Sequence, residues 1–409
     1  MLEPQNDGVF REETLEPREY VPPSQRCCVR TLIATTAALA VTVASLIGYI
    51  VRLEDVPADA PLLQSQDPPS NNRFGTSWMP LPTSSIRRIA VGSCSSQHMP
   101  QPYWDTLVQY DPDLVLLMGD NVYGDCESDT SCDLLEQAYH DWANLASFQG
   151  HRWPLLATLD DHDYGGNDVH GDNPHKEYAR GLFQEFFQVE DLPEDGVYQA
   201  YEFGEEGERL QVILLDTRYS RSPFVERRDN LPPFGPYTPT LDNTTQMLSP
   251  QQWTWLGEQL RRPADLRLVI SSIQVLDDGS HAECWRMLPH ERDRLYNLLP
   301  SNAVLLSGDR HVGGLYEAPE GFVEMTASAW THSGPCREDP CQDEEDPNRI
   351  DDFVHVNNFG TVEIDWERRE YTLAIRRADS SYGITYQEGY GDKRSDAGEV
   401  QQNKTYSFV

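Results

Sequence analysis

From about residue 86 onward the chain alternates short apolar runs with polar loops and longer amphipathic stretches. The runs Ile89 to Val91, Leu114 to Met118, Leu155 to Leu159 and Val304 to Leu306 are apolar almost throughout. A strand with one wet face alternates apolar and polar residues, so such runs predict strands covered on both faces by other layers. Further strands are predicted at Val212 to Leu215 and Leu268 to Ser271. Helical spacing predicts helices around Tyr103 to Tyr110, Leu134 to Phe148 and Glu177 to Gln188, with Leu134, Leu135, Ala138, Tyr139, Trp142 and Leu145 facing the core. Ser249 as N-cap and Pro250 in the first turn open another helix through Leu260. After Phe322 the period changes, and Thr361 to Asp365 and Tyr371 to Ile375 alternate like an antiparallel pair. The acidic run Glu338 to Asp352 reads as a solvated loop. An α/β fold is expected.

The first 85 residues follow a different pattern. Thr31 to Val51 is a stretch of 21 residues without formal charge, long enough to cross a bilayer as a helix. Arg11, Arg18, Arg26 and Arg30 precede it, and acidic residues follow it closely. The positive-inside rule then predicts a cytoplasmic tail over 1–30, a transmembrane signal anchor over 31–51 and a lumenal or extracellular body, as in a single-pass type II membrane protein. Cleavage as a signal peptide near Ala58-Asp59-Ala60 is the competing reading. Residues 52–85, with six prolines among Ser, Asn and Asp, read as a stalk, and 86–409 as one catalytic domain. The spacing of Cys126 with Cys132 and of Cys336 with Cys341 suits local disulfides, and Asn243 and Asn403 begin glycosylation triplets. Oligomeric state is not legible.

Lys and Arg number 32 against 67 Asp and Glu, a net charge of −35, which excludes a nucleic-acid-binding role because phosphate backbones require a basic surface. Chemistry concentrates where the strands end: Gly92-Ser93-Cys94, Gly119-Asp120-Asn121-Val122-Tyr123, Asp160-Asp161-His162-Asp163 and Gly308-Asp309-Arg310-His311. In open α/β sheets ligands bind beyond the carboxyl ends of the strands, so these blocks converge on one rim and predict a metal-dependent hydrolase. Asp120, after a glycine that permits close backbone approach, is placed as a carboxylate bridging two metals. Cys94 and Tyr123 offer a thiolate and a phenolate, donors suited to Fe3+. Taken alone, Cys94 is equally a buried small residue or a disulfide half with Cys284. Asp309 and His311, two apart, reach one side of an extended loop. Arg218, beyond Val212 to Leu215, either clamps phosphate or pairs with a buried carboxylate. The remaining histidines, His332 among them, lack comparable context.

These blocks, together with Asp216-Thr217-Arg218, Gln251 to Leu260 and Gln274, resemble the PhoD-type alkaline phosphatases in order and spacing, over residues 86 to 320. The resemblance implies the calcineurin-like metallophosphatase sandwich, two mixed β-sheets flanked by helices. It implies hydrolysis of phosphomonoesters, phosphodiesters or both by in-line attack of a metal-bound hydroxide. It further implies Cys94 and His311 on Fe3+, Asp161 and Asp309 on a divalent metal such as Ca2+, and His162 protonating the leaving group. Departures from the pattern are Asp163, where the family usually has Glu, and an inserted Gly165-Gly166 that leaves the register of Asn167 near the divalent metal open. The alternatives are a phosphodiesterase specialised for phospholipid or polyol-phosphate headgroups, and a noncatalytic receptor-like protein that retains the fold.

Overall fold

A computed structural model describes residues 73–126, 130–228, 235–334, 343–379 and 397–409. The expected tail and anchor, most of the stalk, and Cys336 and Cys341 lie outside the described residues. Among the described residues no helix is long and apolar enough to cross a membrane.

Fifteen strands are described: β1 (Arg88–Gly92), β2 (Leu114–Met118), β3 (Leu155–Thr158), β4 (Gln199–Phe203), β5 (Leu210–Leu214), β6 (Val225–Glu226), β7 (Tyr237–Thr238), β8 (Leu266–Ser271), β9 (Ala303–Ser307), β10 (Gly313–Glu317), β11 (Val323–Ala327), β12 (Arg349–Val354), β13 (Asn358–Asp365), β14 (Glu370–Arg377) and β15 (Val400–Ser407). The helices are α1 (Tyr103–Tyr110), α2 (Asp133–Ala143), α3 (Ala146–Gln149), α4 (Asp161–Tyr164), α5 (Lys176–Phe187), α6 (Pro250–Gln259) and α7 (Pro289–Leu298).

Two large mixed sheets carry the fold. One runs β15-β14-β13-β1-β2-β3, with β1, β2 and β3 parallel and β13 antiparallel to β1. The other runs β12-β10-β11-β9-β8-β5-β4, with β11, β9, β8 and β5 parallel. Alternation along the strands explains the unbroken apolar runs. Ile89, Val91, Leu114, Leu116 and Met118 point inward against Val212, Leu214, Leu268, Ile270, Val304 and Leu306 of the other sheet. Ala90, Val115 and Leu117 point outward under α1, α2 and α5. Ile213, Val269 and Leu305 do the same under α6 and α7. Each side chain of the fully buried strands leaves water whichever way it points, which stabilises by about 25 cal/mol per Å² of apolar area.

Four expectations are corrected. The helix over Leu134 to Phe148 is two helices, because the Asn144 side chain donates to the His140 carbonyl at 2.8 Å and Leu145 turns extended, letting Phe148 stack on Trp142 at 4.4 Å. Leu134, placed in the core by spacing, is exposed on the first turn. Residues 73–85, expected outside the folded body, include part of it: Phe74 is buried and Trp78 packs on Phe186 and stacks on Phe187. The acidic run is not a free loop in its described part. Arg349–Val354 pairs with β10, Asp343 binds His355 at 2.8 Å and Glu344 binds Arg310 at 2.6 Å. Opposite charges within reach turn that run into a strapped edge.

Candidate active site

The carboxyl ends of the parallel strands of both sheets meet along one rim. β1 delivers Cys94, β2 delivers Asp120 and Tyr123, β3 delivers Asp160 to Asp163, β5 delivers Arg218, β9 delivers Asp309 and His311, and the loop after β11 delivers Ser328 and His332. The two sheets approach so closely there that a Cβ at Gly308 would lie 2.5 Å from the Ser93 hydroxyl. Cys94, Asp120, Asp168, Asp309 and His311 all hold left-handed backbone angles, with φ of 59°, 50°, 58°, 69° and 54°. Such conformations cost non-glycine residues of order 1–3 kcal/mol each and persist where the surroundings over-determine them. Their crowding at one rim marks a functional site independently of any relative.

Asp120 is the centre of the geometry. Its Oδ2 lies 3.4 Å from Cys94 Sγ and 3.3 Å from the Tyr123 hydroxyl, while its Oδ1 accepts from the His162 amide at 3.4 Å. The ligand atoms of Cys94, Asp120 and His311 fall within 4.8 Å of one another, and those of Asp120, Asp161 and His162 do likewise. Asp160, Asp161 and Asp309 form a third such group, and Asp161, Asp168 and Glu283 a fourth. Cys94 and Cys284 are both free and buried, which sets aside a disulfide between them.

These residues fit metal ions. Burial first, then Asp161, Cys94 and Asp160, raises the Asp120 carboxyl well above its ordinary range. Burial, then Asp160 and Asp161, does the same to Asp309, and burial pushes the Cys94 thiol up to about 12. Acids crowded in a low-dielectric rim are costly as anions without a matching cation, and multivalent ions bound among them reverse that balance. Burial lowers His311 to about 3, so its imidazole is neutral and has a lone pair to offer. Burial also pulls His162 down, but a 2.6 Å hydrogen bond from Nδ1 to Asp125, with Asp161 beyond it, holds its pKa above the ordinary value. That pairing favours the charged form of the imidazole.

Arg218 sits among carboxylates. It is fully buried, with Nε 2.5 Å from Asp160 and Nη1 bonded to Glu283. Its Nη2 lies 3.9 Å from Asp161 and 4.0 Å from Asp309. Of the features the two expected roles need, the structure holds the carboxylate pairing through Nε and Nη1, while Nη2 has no hydrogen-bond partner and faces Asp161 and Asp309. Burial tends to raise Asp161, but Arg218 and then His162 outweigh it and bring its pKa to about 2. Asn167 is exposed. Its neighbour Asp168 turns inward instead, its amide 2.7 Å from Asp161 and its carboxylate accepting from Tyr237 at 2.6 Å. Asp163 accepts from the amides of Asn121, Val122 and Asp160 at 2.9, 3.2 and 3.0 Å, and so ties the β2 loop to the β3 loop.

Several participants were not singled out by sequence. His332 places Nε2 3.2 Å from the Tyr123 hydroxyl, its ring 4.4 Å from that of His311. Ser328 lies 3.2 Å from Cys94 Sγ. Glu283 binds Arg218 and Arg221, and Asp125 binds His162. Nothing in sequence marked His332 and Ser328, because β11 reads Val-Glu-Met-Thr-Ala and lacks the unbroken apolar run that precedes the other rim blocks. Gln274, part of the motif set, is buried and donates to Tyr316 at 2.8 Å.

Two mixed sheets with buried carboxylates, a thiol, a phenol and imidazoles at their carboxyl ends define an α/β sandwich of the metallophosphatase type. Residues 136–375 match the family model of the PhoD-like phosphatases, and the chain belongs to that family, whose members are phosphoric ester hydrolases. The fold is similar to that of a solved PhoD, with a TM-score of 0.62, 16% identity, 80% of this chain and 71% of that chain covered. It is also similar to the purple acid phosphatase PPD1 from seeds of yellow lupin (Lupinus luteus), with a TM-score of 0.50, 12% identity, 80% of this chain and 55% of that chain covered. At these identities the likeness is one of fold. No curated protein sequence matches.

Proposed function

We propose that the chain is a two-metal phosphoesterase acting on phosphomonoesters, phosphodiesters or both, with Asp120 shared between an Fe3+ site and a divalent site. The observation that carries this reading is the division of the Asp120 carboxylate, one oxygen facing Cys94 and Tyr123, the other facing the Asp161–His162 turn. Cys94, Tyr123 and His311 supply the soft and anionic donors suited to Fe3+. Asp161 and Asp309, with Asp168 beside them, supply the oxygens suited to Ca2+. Bound metals would supply Lewis acidity and a more acidic water. The residues do the rest: Arg218 holds Asp160 and faces Asp161, Asp163 holds the β2 loop in register, and His162 delivers its proton to the leaving oxygen.

The proposal includes the anchor over 31–51 and a lumenal or extracellular body. Cys126 and Cys132 form a disulfide, and Asn243 and Asn403 are exposed, as an oxidising, glycosylating compartment would require.

Elemental analysis of the full chain, with hydrolysis of a nitrophenyl monoester and bis-ester by wild type and Cys94→Ser, tests the centre. Iron with a divalent metal, both activities falling with iron in the variant, is the expected result. A folded wild type that binds neither metal refutes it.

A further inference from the structure

We propose that Arg310 is the positioning residue that holds the Asp309 carboxylate at the divalent site, through ion pairs to Asp277 and Glu344. The inference rests on the assignment of Asp309 to that site above.

The backbone fixes the turn from Gly308 to His311 at its two ends. The Gly308 amide donates to the Ser272 carbonyl at 2.9 Å, the His311 amide donates to the Ser328 hydroxyl at 2.9 Å, and the His311 carbonyl accepts from the Gly334 amide at 2.5 Å. The middle of the turn has no such anchor. Among the described residues, the Arg310 amide bonds to the Gly308 carbonyl alone, inside the turn. Asp309 and His311 hold left-handed angles, with φ of 69° and 54°, so a released turn has less strained conformations to adopt. Charge pushes the same way. Ligand oxygens of Asp160, Asp161 and Asp309 fall within 4.8 Å of one another, and carboxylates at that range repel until a cation comes between them.

Arg310 supplies the missing anchor. Its Nη2 reaches Glu344 at 2.6 Å, while Nη1 lies 3.3 Å from Gln274 Oε1 and 3.6 Å from Asp277. Both carboxylates are themselves held. Asp277, in the loop after β8, is buried and accepts from the Gly279 and Ser280 amides at 3.0 Å each. The chain around Glu344 is tied to that loop. Asp346 accepts from the Asp278 and Gly279 amides at 2.9 and 3.0 Å, Asn348 donates to the Leu276 carbonyl at 2.8 Å, and Arg349 donates to the Glu344 carbonyl at 2.8 Å. Arg310 and Glu344 are 13% and 18% exposed, so water and salt screen their attraction poorly. A planar guanidinium serves both acceptors at once, which a single ammonium does less well.

The two ligands of the turn depend on this anchor unequally. Without Arg310, His311 keeps its two backbone bonds, whereas Asp309 keeps only the 4.0 Å approach of Arg218 Nη2. The loss therefore falls on the divalent ion and spares iron.

The test uses the full chain as wild type, Arg310→Met, Arg310→Lys and Glu344→Gln. It measures iron by elemental analysis, Ca2+ affinity by calorimetry after EGTA has removed divalent ions, and stability by urea unfolding. Arg310→Met is expected to weaken Ca2+ binding about 10- to 100-fold with iron content held, and saturating Ca2+ to restore its phosphatase activity. Arg310→Lys falls between it and wild type. Glu344→Gln weakens Ca2+ binding about threefold to tenfold at wild-type stability, and decides the matter if Arg310→Met does not fold. Wild-type Ca2+ affinity in both Arg310→Met and Glu344→Gln, or in Glu344→Gln alone where Arg310→Met does not fold, overturns the proposal. Iron lost in step with Ca2+ overturns it too, since a support of the fold would act on both ions. A wild type that holds iron but binds no Ca2+ overturns the assignment of Asp309 to a divalent ion, and the proposal with it.

Discussion

Replacing Asp163 by Ala would remove one small side chain and orphan three buried amides. The amides of Asn121, Val122 and Asp160 all end on its carboxylate, and no water reaches a residue with no exposed surface. An intramolecular hydrogen bond contributes about 0.5–1.5 kcal/mol net, and an orphaned buried donor costs about 1–3 kcal/mol. Burial pushes the Asp163 carboxyl up to about 7, so ionising it at neutral pH offsets part of this advantage. A loss of about 3 kcal/mol remains, a large share of an ordinary folding stability. Asp163→Asn keeps one acceptor oxygen but turns an amide donor toward an amide donor, and falls between the two. Urea unfolding of the full chain should show the midpoint of Asp163→Ala lowered by roughly 1 M, with Asp163→Asn intermediate. Because two of the amides belong to the loop between Asp120 and Tyr123, phosphatase activity in Asp163→Ala should fall even where the protein is fully folded. An unfolding free energy within about 1 kcal/mol of wild type, or an Asn variant as damaged as the Ala variant, would refute the account of how the β2 and β3 loops are joined.

Three other perturbations bear on separate parts of the molecule. Burial raises Glu324 to about 7 against the lowering pull of Ser307 and the Val275 and Leu276 amides. Its folded value lies above its unfolded one, so the native state holds the proton longer, and this group's contribution, full below the unfolded pKa, is lost as pH rises to about 7. Glu324→Gln should flatten the fall in stability between pH 5 and 7.5 by an amount on the order of 3 kcal/mol, and equal slopes in urea melts would count against it. Gly92→Ala would place a Cβ 1.8 Å from Trp330 Nε1, in the strand that ends in Cys94. Thermal melts should show a loss of about 3 kcal/mol or more, and a wild-type melting temperature would contradict the packing. Cys126→Ser with Cys132→Ser opens a loop of sequence separation 6, which should cost about 2 kcal/mol by denaturant unfolding. An unchanged unfolding free energy would contradict this.

The central strands were legible because a strand buried on both faces has no polar position to obscure it. The residues that follow those strands were legible for the same reason: Cys94, Asp120, Asp161, Asp309 and His311 each come within a few residues of the end of an apolar run. Asp125, Asp168, Glu283 and His332 come from loops whose course is set by contacts distant in sequence, such as the Arg221 and Arg218 pairing of Glu283. Periodicity carries no trace of such contacts. Arg218 was placed correctly at a strand end, but whether it meets substrate or carboxylate depends on Asp160 and Glu283, 58 and 65 residues away. The packing of Phe74 and Trp78 was likewise a tertiary outcome, whereas the break at Asn144 is local, its side chain donating to the His140 carbonyl four residues back.

The position of β1 has a consequence for synthesis of the chain. β1 is made early yet sits between β2 and β13, pairing Arg88 with Glu363 and Val91 with Gly360. A nascent chain emerging from the ribosome therefore holds one edge of β1 open until nearly the whole polypeptide has been made. The acids of the rim, Asp120, Asp160, Asp161 and Asp309, are all made before β13 is. Until then the growing chain has an uncovered apolar strand edge, which is the part of the molecule that a chaperone, or a neighbouring unfinished chain, would meet first.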